Sequence, residues 1–295
     1  MQKDHLTHIP FSSLGLNDAL LESVEDAGFV HCTPIQAATL PLAIQGQDVA
    51  GQAQTGTGKT AAFLLAALHH LMETPVPEGE VGPWTLVIAP TRELAVQIHR
   101  DAELLGRYTG LKFAVVYGGT GYDSQRRQLE SGVDVLIGTP GRLIDYYKQG
   151  VYKLSNIEVM VLDEADRMFD LGFIADIRYL LRKMPPPDQR INLLFSATLS
   201  NRVMELAYEH MNNPQVVRIE TEHVTADKVR QALYHVSGHD KIPLLLGVLR
   251  QQAPKRTMIF VNTKRAADRV TGYLLGNGYE AGVLSGDIPQ HKRLR

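Results

Sequence analysis

The sequence predicts an α/β fold in which a parallel sheet is covered by helices on both faces. Short apolar runs typical of buried strands alternate with helix-like segments through most of the 295 residues, as in sheets joined by crossover helices. The segment AQTGTGKT at 53–60 is a glycine-broken turn at the mouth of a helix. The apolar run IEVMVL at 157–162 ends in acidic residues, as expected where a strand reaches a ligand-binding sheet edge.

The elements of the first part of the chain follow from these patterns. A helix is predicted over 34–45, with Thr33 as N-cap, Pro34 at its first position and Gly46 after its end. Further helices are predicted from Thr60 to about residue 72 and from about residue 92, and 73–83 reads as a surface loop. The predicted strands are WTLVIA (84–89), LKFAVVY (111–117), VDVLIG (133–138), IEVMVL (157–162), INLLFS (191–196) and QVVRIE (215–220).

Two domains are predicted, over 1–220 and 230–295, with a polar linker at 221–229 where the apolar periodicity lapses. After the linker the pattern restarts, with helices predicted over 240–251 and 263–276. Strands are predicted near 230–236, 257–261 and 281–285. About 65 residues follow the linker, fewer than the ~100 to 150 of a common domain, so we expect this second domain to be incomplete.

Composition narrows the classes of protein. The net charge of −2 and pI near 6.6 provide no global positive field, so any nucleic-acid binding must come from a local surface. The longest apolar runs are far shorter than the ~20 residues of a membrane span. The N-terminus lacks a secretory signal and the single cysteine, Cys32, cannot form an internal disulfide, which predicts a cytoplasmic location. The scattered histidines predict no structural metal.

The glycine-broken turn predicts a phosphate site. Gly56 and Gly58 let backbone N–H groups point inward, towards a phosphate chain at the positive end of a helix. Lys59 is expected to neutralise the β and γ phosphates, and Thr60 to ligate Mg²⁺. Ala53 departs from the strict GxxxxGK[ST] pattern, and a plain glycine-rich linker is the alternative. The predicted cofactor-binding residues of this loop are Gln54, Thr55, Gly56, Thr57, Gly58, Lys59 and Thr60.

The acidic strand end predicts the metal and the base. Asp163 is expected to hold Mg²⁺ and Glu164 to polarise water at the carboxyl edge of the sheet. A solvated acidic turn is the alternative interpretation. The two motifs together favour a nucleoside triphosphate site, with Glu164, Asp163 and Lys59 as the catalytic set.

Several motifs in order resemble those of the DEAD-box RNA helicase family. They are GFVHCTPIQ (28–36) preceded by Phe11, AQTGTGKT, PTRELA (90–95), the glycine pair at 118 and 119, TPGR (139–142), DEAD (163–166), SAT (196–198), IFVN (259–262) and SGDIPQHKR (285–293). The resemblance implies a RecA-like P-loop domain followed by a partial second RecA-like domain. It also implies ATP and Mg²⁺ as cofactors and local, ATP-driven separation of short RNA duplexes.

The resemblance extends to adenine recognition. The amide of Gln36 can donate and accept at once, which matches the N6 and N7 edge of adenine. Phe11 is expected to stack on the base. A core phenylalanine beside Leu14 and Leu16 is the alternative for Phe11.

The resemblance also implies sugar–phosphate contacts to RNA. Thr91 and Arg92 open a helix directly after a strand, so N–H groups and a guanidinium can meet a phosphate. Such contacts are independent of base sequence. An ordinary helix start is the alternative for TPGR. The remaining predicted RNA-binding residues are Gly119, Thr139, Gly141 and Arg142, with Gln290 and Arg293 in the second domain.

Three further residues are predicted to couple the nucleotide site to closure between domains. They are Asp166, Ser196 and Thr198, at family positions with that task. Ser196 and Thr198 could equally form a capping turn at the strand end.

Within the family, the segments MPPPDQRINLLFSATLS and ADRMFDLGFIADIRYL look most like the helicase that bacteria attach to their RNA-degrading machinery. This implies RNA and an endoribonuclease scaffold as partners. The chain contains no segment like TDxxARGxD or HRxGRxxR, so no arginine finger can be assigned. The alternative function is a module that binds nucleotide, and RNA weakly, without helicase turnover.

Overall fold

The computed structural model describes residues 6–74, 81–119, 121–219 and 230–288. The chain divides into two compact units, Met1–Glu220 and Thr221–Arg295. This division falls at the end predicted for the first domain, and the predicted linker at 221–229 lies outside the described residues.

The first unit is built on a seven-stranded sheet in the order β3-β4-β2-β5-β6-β1-β7. All neighbouring strands pair in parallel. The predicted α/β fold is therefore confirmed for this unit. The strands are β1 (Val49–Gln52), β2 (Thr85–Ile88), β3 (Phe113–Val116), β4 (Val135–Gly138), β5 (Val159–Asp163), β6 (Ile191–Ser196) and β7 (Gln215–Arg218).

Helices pack on both faces of this sheet because its central strands are apolar on both sides. In β2, Val87 belongs to one core cluster and Leu86 to the other, as expected when successive side chains alternate between faces. Because these apolar clusters cover both faces of the sheet, polar side chains from the strand ends lie at its carboxyl edge. The helices are α1 (Asp18–Asp26), α2 (Pro34–Ala43), α3 (Lys59–Glu73), α4 (Arg92–Leu105), α5 (Tyr122–Glu130), α6 (Pro140–Lys148), α7 (Ala165–Asp170), α8 (Ile174–Leu181) and α9 (Asn201–His210).

Helix α2 begins where its caps predict. The Thr33 hydroxyl accepts from the Gln36 N–H, and the Gln36 side chain accepts from the Thr33 N–H at 2.8 Å, which is a complete capping box. The helix ends at Ala43, two residues before the predicted end, and Gly46 follows with a φ of 77°.

Strand β1 is absent from the predicted strands although it carries the glycine-broken loop at its carboxyl end. Its four residues VAGQ are too few and too small to give an apolar pattern. Gly51 packs directly on Phe195, where an added Cβ would lie 2.7 Å from the ring. The rule that such a loop follows a strand could have located β1 from the sequence.

In the second unit the two predicted helices form, as α10 (Lys241–Gln252) and α11 (Lys264–Gly276). The strands predicted near 230–236, 257–261 and 281–285 are wrong for residues 230–288, where the structure has no strand. Met258 and Phe260 are 77% and 86% exposed. Apolar composition marks these segments as suited to a sheet, but a strand also requires a paired neighbour, which they lack within 230–288.

Within the described parts of the chain, the structure contains no helix with the length and apolar character needed to span a membrane.

Candidate nucleotide and RNA site

Strand order sorts the motif loops into two groups along the carboxyl edge of the sheet. Strands β5, β6 and β1 are neighbours, and they are followed by DEAD, SAT and AQTGTGKT. Strands β3, β4 and β2 are also neighbours, and they are followed by the glycine pair, TPGR and PTRELA. We call the first group the nucleotide half and the second the RNA half.

The loop after β1 is shaped by two glycines. Gly56 and Gly58 have φ angles of 80° and 90°, in the left-handed region that side chains disfavour. A Cβ on Gly58 would also collide with Nε2 of Gln36. Thr57 closes the turn by donating from Oγ1 to the Gln54 carbonyl at 2.7 Å. Gly58 is thus required both for its conformation and for the close approach of α2.

Lys59 is buried at the first position of α3, and its Nζ donates to the Ala53 carbonyl at 2.7 Å. Ala53 itself is buried in the core, so the alanine that replaces the usual glycine contributes its carbonyl rather than its side chain. The ammonium is held at the base of the loop, where a phosphate could replace the carbonyl as its partner.

The acidic strand end combines burial with backbone strain. Asp163, at the end of β5, is 3% exposed. Burial raises the pKa of Asp163 to about 6, against the opposing effect of the Lys59 charge. Glu164 has a φ of 51°, unusual for a residue other than glycine, which costs about 1 to 3 kcal/mol. Its carboxylate pairs with Arg167 at 3.3 Å.

The loop and the acids line one cavity of about 570 Å³. Its lining includes Asp163 and Glu164 and the loop residues Thr55, Gly56, Gly58, Lys59 and Thr60. No cluster of three or more His, Cys, Asp or Glu side chains suited to a metal occurs among the described residues. Thr60 and Asp163, which both line the cavity, are a donor set that fits Mg²⁺, because this ion is commonly held by one or two side chains together with phosphate and water.

Gln36 also lines this cavity, but its amide is already engaged. Oε1 accepts from the Thr33 N–H at 2.8 Å and Nε2 donates to the Gly58 carbonyl at 3.0 Å. Adenine recognition by Gln36 therefore requires the amide to exchange or share these partners.

Phe11, which is predicted to stack on adenine, is not among the residues that line this cavity. Phe11 lies in a short 3-10 helix (Phe11–Ser13) and is 3% exposed within the core, with Leu14 and Leu16 in the same cluster. This environment favours the core alternative for Phe11. The aromatic side chain on the cavity is Phe29, which is 44% exposed. It lies inside the GFVHCTPIQ motif, but exposure cannot be read from a motif.

The predicted coupling residues contact one another. Oδ2 of Asp166 accepts from the N–H and from Oγ1 of Thr198, both at 3.0 Å, and the Asp166 N–H donates to Oγ of Ser196 at 3.2 Å. Burial alone would raise the pKa of Asp166, but the hydrogen bonds from Ser196 and Thr198 lower it below its usual value. The loops after β5 and β6 are thereby tied together beside Glu164.

In the RNA half, Thr91, Arg92 and Gly119 lie together. The Thr91 hydroxyl caps α4 by accepting from the Leu94 N–H at 3.3 Å, and Arg92 is the first residue of that helix. Gly119 has a φ of 94°, and a Cβ there would collide with the Arg92 guanidinium. The exposed loop at Gly119 and the N-terminus of α4 thus both lie beside the Arg92 guanidinium.

At the start of α6, the surroundings of Arg142 differ from those of an exposed phosphate ligand. Thr139 is the N-cap and Gly141 is exposed, as a phosphate contact requires. The Arg142 side chain is only 12% exposed. Its guanidinium lies over the rings of Tyr122 and Tyr146, at 4.8 and 5.3 Å from their centroids. Because these partners enclose it, Arg142 is placed to support the loops, and its phosphate contact stays a prediction.

The two RNA-binding residues predicted in the second domain, Gln290 and Arg293, lie outside the described residues.

The fold and the site define a P-loop nucleotide-binding protein. The sequence profile of the DEAD/DEAH box helicase family matches residues 33–206, and the chain belongs to this family. The resemblance inferred from the motifs is confirmed.

Proteins similar to this chain are named as RNA helicases or DEAD box proteins. The chain is 53% identical over 295 residues to the ATP-dependent RNA helicase RhlB of Pseudoalteromonas atlantica, covering 100% of this chain and 70% of that protein. It is 54% identical to the RhlB of Idiomarina loihiensis, with the same coverage. The crystal structure of a DEAD box protein from the hyperthermophile Methanococcus jannaschii matches with a TM-score of 0.66 and 30% identity, covering 97% of this chain and 75% of that one.

Proposed function

We propose that this chain is the ATP-hydrolysing, RNA-binding part of an ATP-dependent RNA helicase that locally separates short RNA duplexes. The observation that carries the proposal is the single cavity lined by Lys59, Asp163 and Glu164, with the Asp166 link to the SAT loop beside it. The RhlB relatives, named as ATP-dependent RNA helicases, support the same activity.

For ATP, Lys59 exchanges the Ala53 carbonyl for oxygens of the β and γ phosphates, while the N–H groups around Gly56 and Gly58 bind the chain of phosphates. Thr60 and Asp163 are the residues that would hold Mg²⁺. The ion, when bound, neutralises charge on the phosphates. Gln36 reads the N6 and N7 edge of adenine, and Phe29 rather than Phe11 provides the aromatic surface for the base.

For hydrolysis, Glu164 orients and polarises the attacking water. Its left-handed backbone directs the carboxylate from the end of β5 towards the cavity, and the strain is of the kind that clusters at functional sites. Arg167 pairs with this carboxylate and must release or share it when water is engaged.

For RNA, the exposed loop at Gly119 and the N-termini of α4 and α6 bind sugar and phosphate through N–H groups, with Arg92 adding charge. Recognition is therefore independent of base sequence. The net charge of −2 means that binding depends on this local surface.

The test is phosphate release from Mg·ATP with and without single-stranded RNA, using a chain that includes a complete second domain. We expect release to rise when RNA is added, and the same RNA to have no effect on GTP turnover. Nucleotide binding with no RNA-stimulated release would favour the alternative, a binding module without turnover.

A role in RNA degradation, in the cytoplasm and with an endoribonuclease scaffold as partner, is a narrower proposal that rests on similarity to RhlB. It is tested by measuring binding to a purified scaffold fragment. No detectable association of the complete protein at micromolar concentrations would contradict it.

A further inference from the structure

We propose that Gln125 is a positioning residue that fixes the glycine loop at 118–119 and joins it to the start of α6. The inference rests on the RNA-binding part of the proposed function and deepens it. No motif in the sequence singled out this glutamine.

Gln125 lies on α5 and is 8% exposed. Its Oε1 accepts from the Tyr117 N–H at 3.1 Å, and its Nε2 donates to the Tyr117 carbonyl at 3.3 Å. One side chain thus pairs both backbone groups of the residue that follows β3. Since buried backbone groups require partners, this amide fixes the loop at the point where the strand ladder stops.

The same amide also contacts the TPGR segment. Nη1 of Arg142 donates to Oε1 of Gln125 at 3.3 Å and to Oη of Tyr146 at 3.2 Å. Oη of Tyr146 donates in turn to the Tyr122 carbonyl at 2.6 Å, at the start of α5. The loop after β3 and the helix after β4 are therefore joined through one glutamine and one enclosed arginine.

This connection matters because the phosphate-binding groups on either side of it are backbone groups. Arg92 packs against Gly119 from one side, and Gln125 holds Tyr117 two residues earlier. Backbone donors have no side-chain freedom to follow a displaced phosphate, so the loop and the α6 N-terminus must keep a fixed spacing, within about 0.5 Å. Gln125 is the residue that connects the two.

The test compares Gln125→Ala and Gln125→Glu with Gln128→Ala in the 295-residue chain. Gln128 is a matched control, since it lies on the same helix and donates to the Phe113 carbonyl at 3.0 Å, away from the glycine loop. Three quantities are measured: amide exchange at 117–119, binding of a labelled oligouridylate at several salt concentrations, and binding of Mg·ADP.

We expect Gln125→Ala to speed exchange at 117–119 and to weaken RNA binding by about tenfold, the size of one lost hydrogen bond. The salt dependence should keep its slope because no charge is removed. Mg·ADP binding should stay within about twofold of the unchanged chain, as expected for a positioning residue in the RNA half. Gln125→Glu retains the acceptor for Tyr117 and Arg142 but faces the Tyr117 carbonyl with a carboxylate oxygen in place of the Nε2 donor. Exchange at 117–119 should therefore also speed up, and RNA affinity should fall by less than in Gln125→Ala.

Unchanged exchange at 117–119 in folded Gln125→Ala would overturn the inference. So would equal losses of RNA affinity in Gln128→Ala, or a parallel loss of Mg·ADP binding. If Gln125→Ala does not fold, Gln125→Glu provides the comparison. If the unchanged chain binds no RNA, the RNA part of the proposed function fails, and the exchange comparison alone decides the positioning claim.

Discussion

The nucleotide half and the RNA half of the sheet edge differ in the chemistry of the groups that they present. In the nucleotide half, the charged groups Lys59 and Asp163 are buried and the backbone is strained at Glu164. In the RNA half, exposed Gly119 and Gly141 present backbone, and the enclosed Arg142 serves as support. A buried charge favours strong, specific binding of one small ligand. Exposed backbone N–H groups favour weaker contacts, which can be made to each successive phosphate of a polymer.

The largest expected effect is on chemistry in the nucleotide half. Glu164→Gln keeps the shape of the side chain but removes its ability to accept a proton, so turnover should fall by about 10² to 10⁴ in a chain with a complete second domain. ATP binding should remain nearly unchanged. Steady-state phosphate release and an ATP titration separate the two. Normal turnover would assign the water-polarising role to another residue.

The second largest effect is expected for Lys59→Ala, which should weaken nucleotide binding. Removal of a buried ammonium aimed at the phosphates is expected to cost about 2 to 5 kcal/mol, or roughly 30-fold or more in Kd. Calorimetric titration of Mg·ATP measures it, with the exposed Lys153→Ala as control. An unchanged Kd for Lys59→Ala would contradict the assignment of this lysine.

Gln36→Ala should change the choice of base. The amide pairs with N6 and N7 of adenine but meets two acceptors in guanine, a difference of about 1 to 3 kcal/mol. Since Gln36 also completes the α2 capping box, some stability is lost as well, and the ratio of ATP to GTP affinity is the quantity to measure. Equal losses for the two nucleotides would leave Gln36 a purely structural residue.

The smallest effect is expected for a single cation in the RNA half. Arg92→Ala should weaken single-stranded RNA by about 1 kcal/mol for every sequence and reduce the salt slope by about 1. Arg100→Ala, exposed on the same helix, is the matched control. A change in base preference would indicate direct readout of base edges instead.

The sequence predicts the first unit well because its motifs are short, continuous segments. The backbone conformation of each segment follows from its residue types. The glycine loop, the acidic strand end and the Thr33 cap depend on neighbours in the chain. Their geometry therefore follows from local rules, and the structure reproduces it.

Side-chain environment was harder to predict. Phe11 and Phe29 both belong to the part of the chain that resembles an adenine-recognising motif, and only packing distinguishes the buried ring from the exposed one. Arg142 resembles a phosphate ligand by type, but Tyr122 and Tyr146, one of them 20 residues away, enclose it. The strands predicted after residue 230 carry the right composition but lack hydrogen-bonded neighbours within 230–288.

If the RNA half has its own phosphate-binding groups, it binds single-stranded RNA without nucleotide, and RNA binding by Lys59→Ala in the absence of nucleotide tests this most directly. The affinity of this variant for single-stranded RNA should equal that of the unchanged chain within about twofold, since the RNA half has its own phosphate-binding groups. A loss of RNA affinity as large as the loss of ATP affinity would contradict the account.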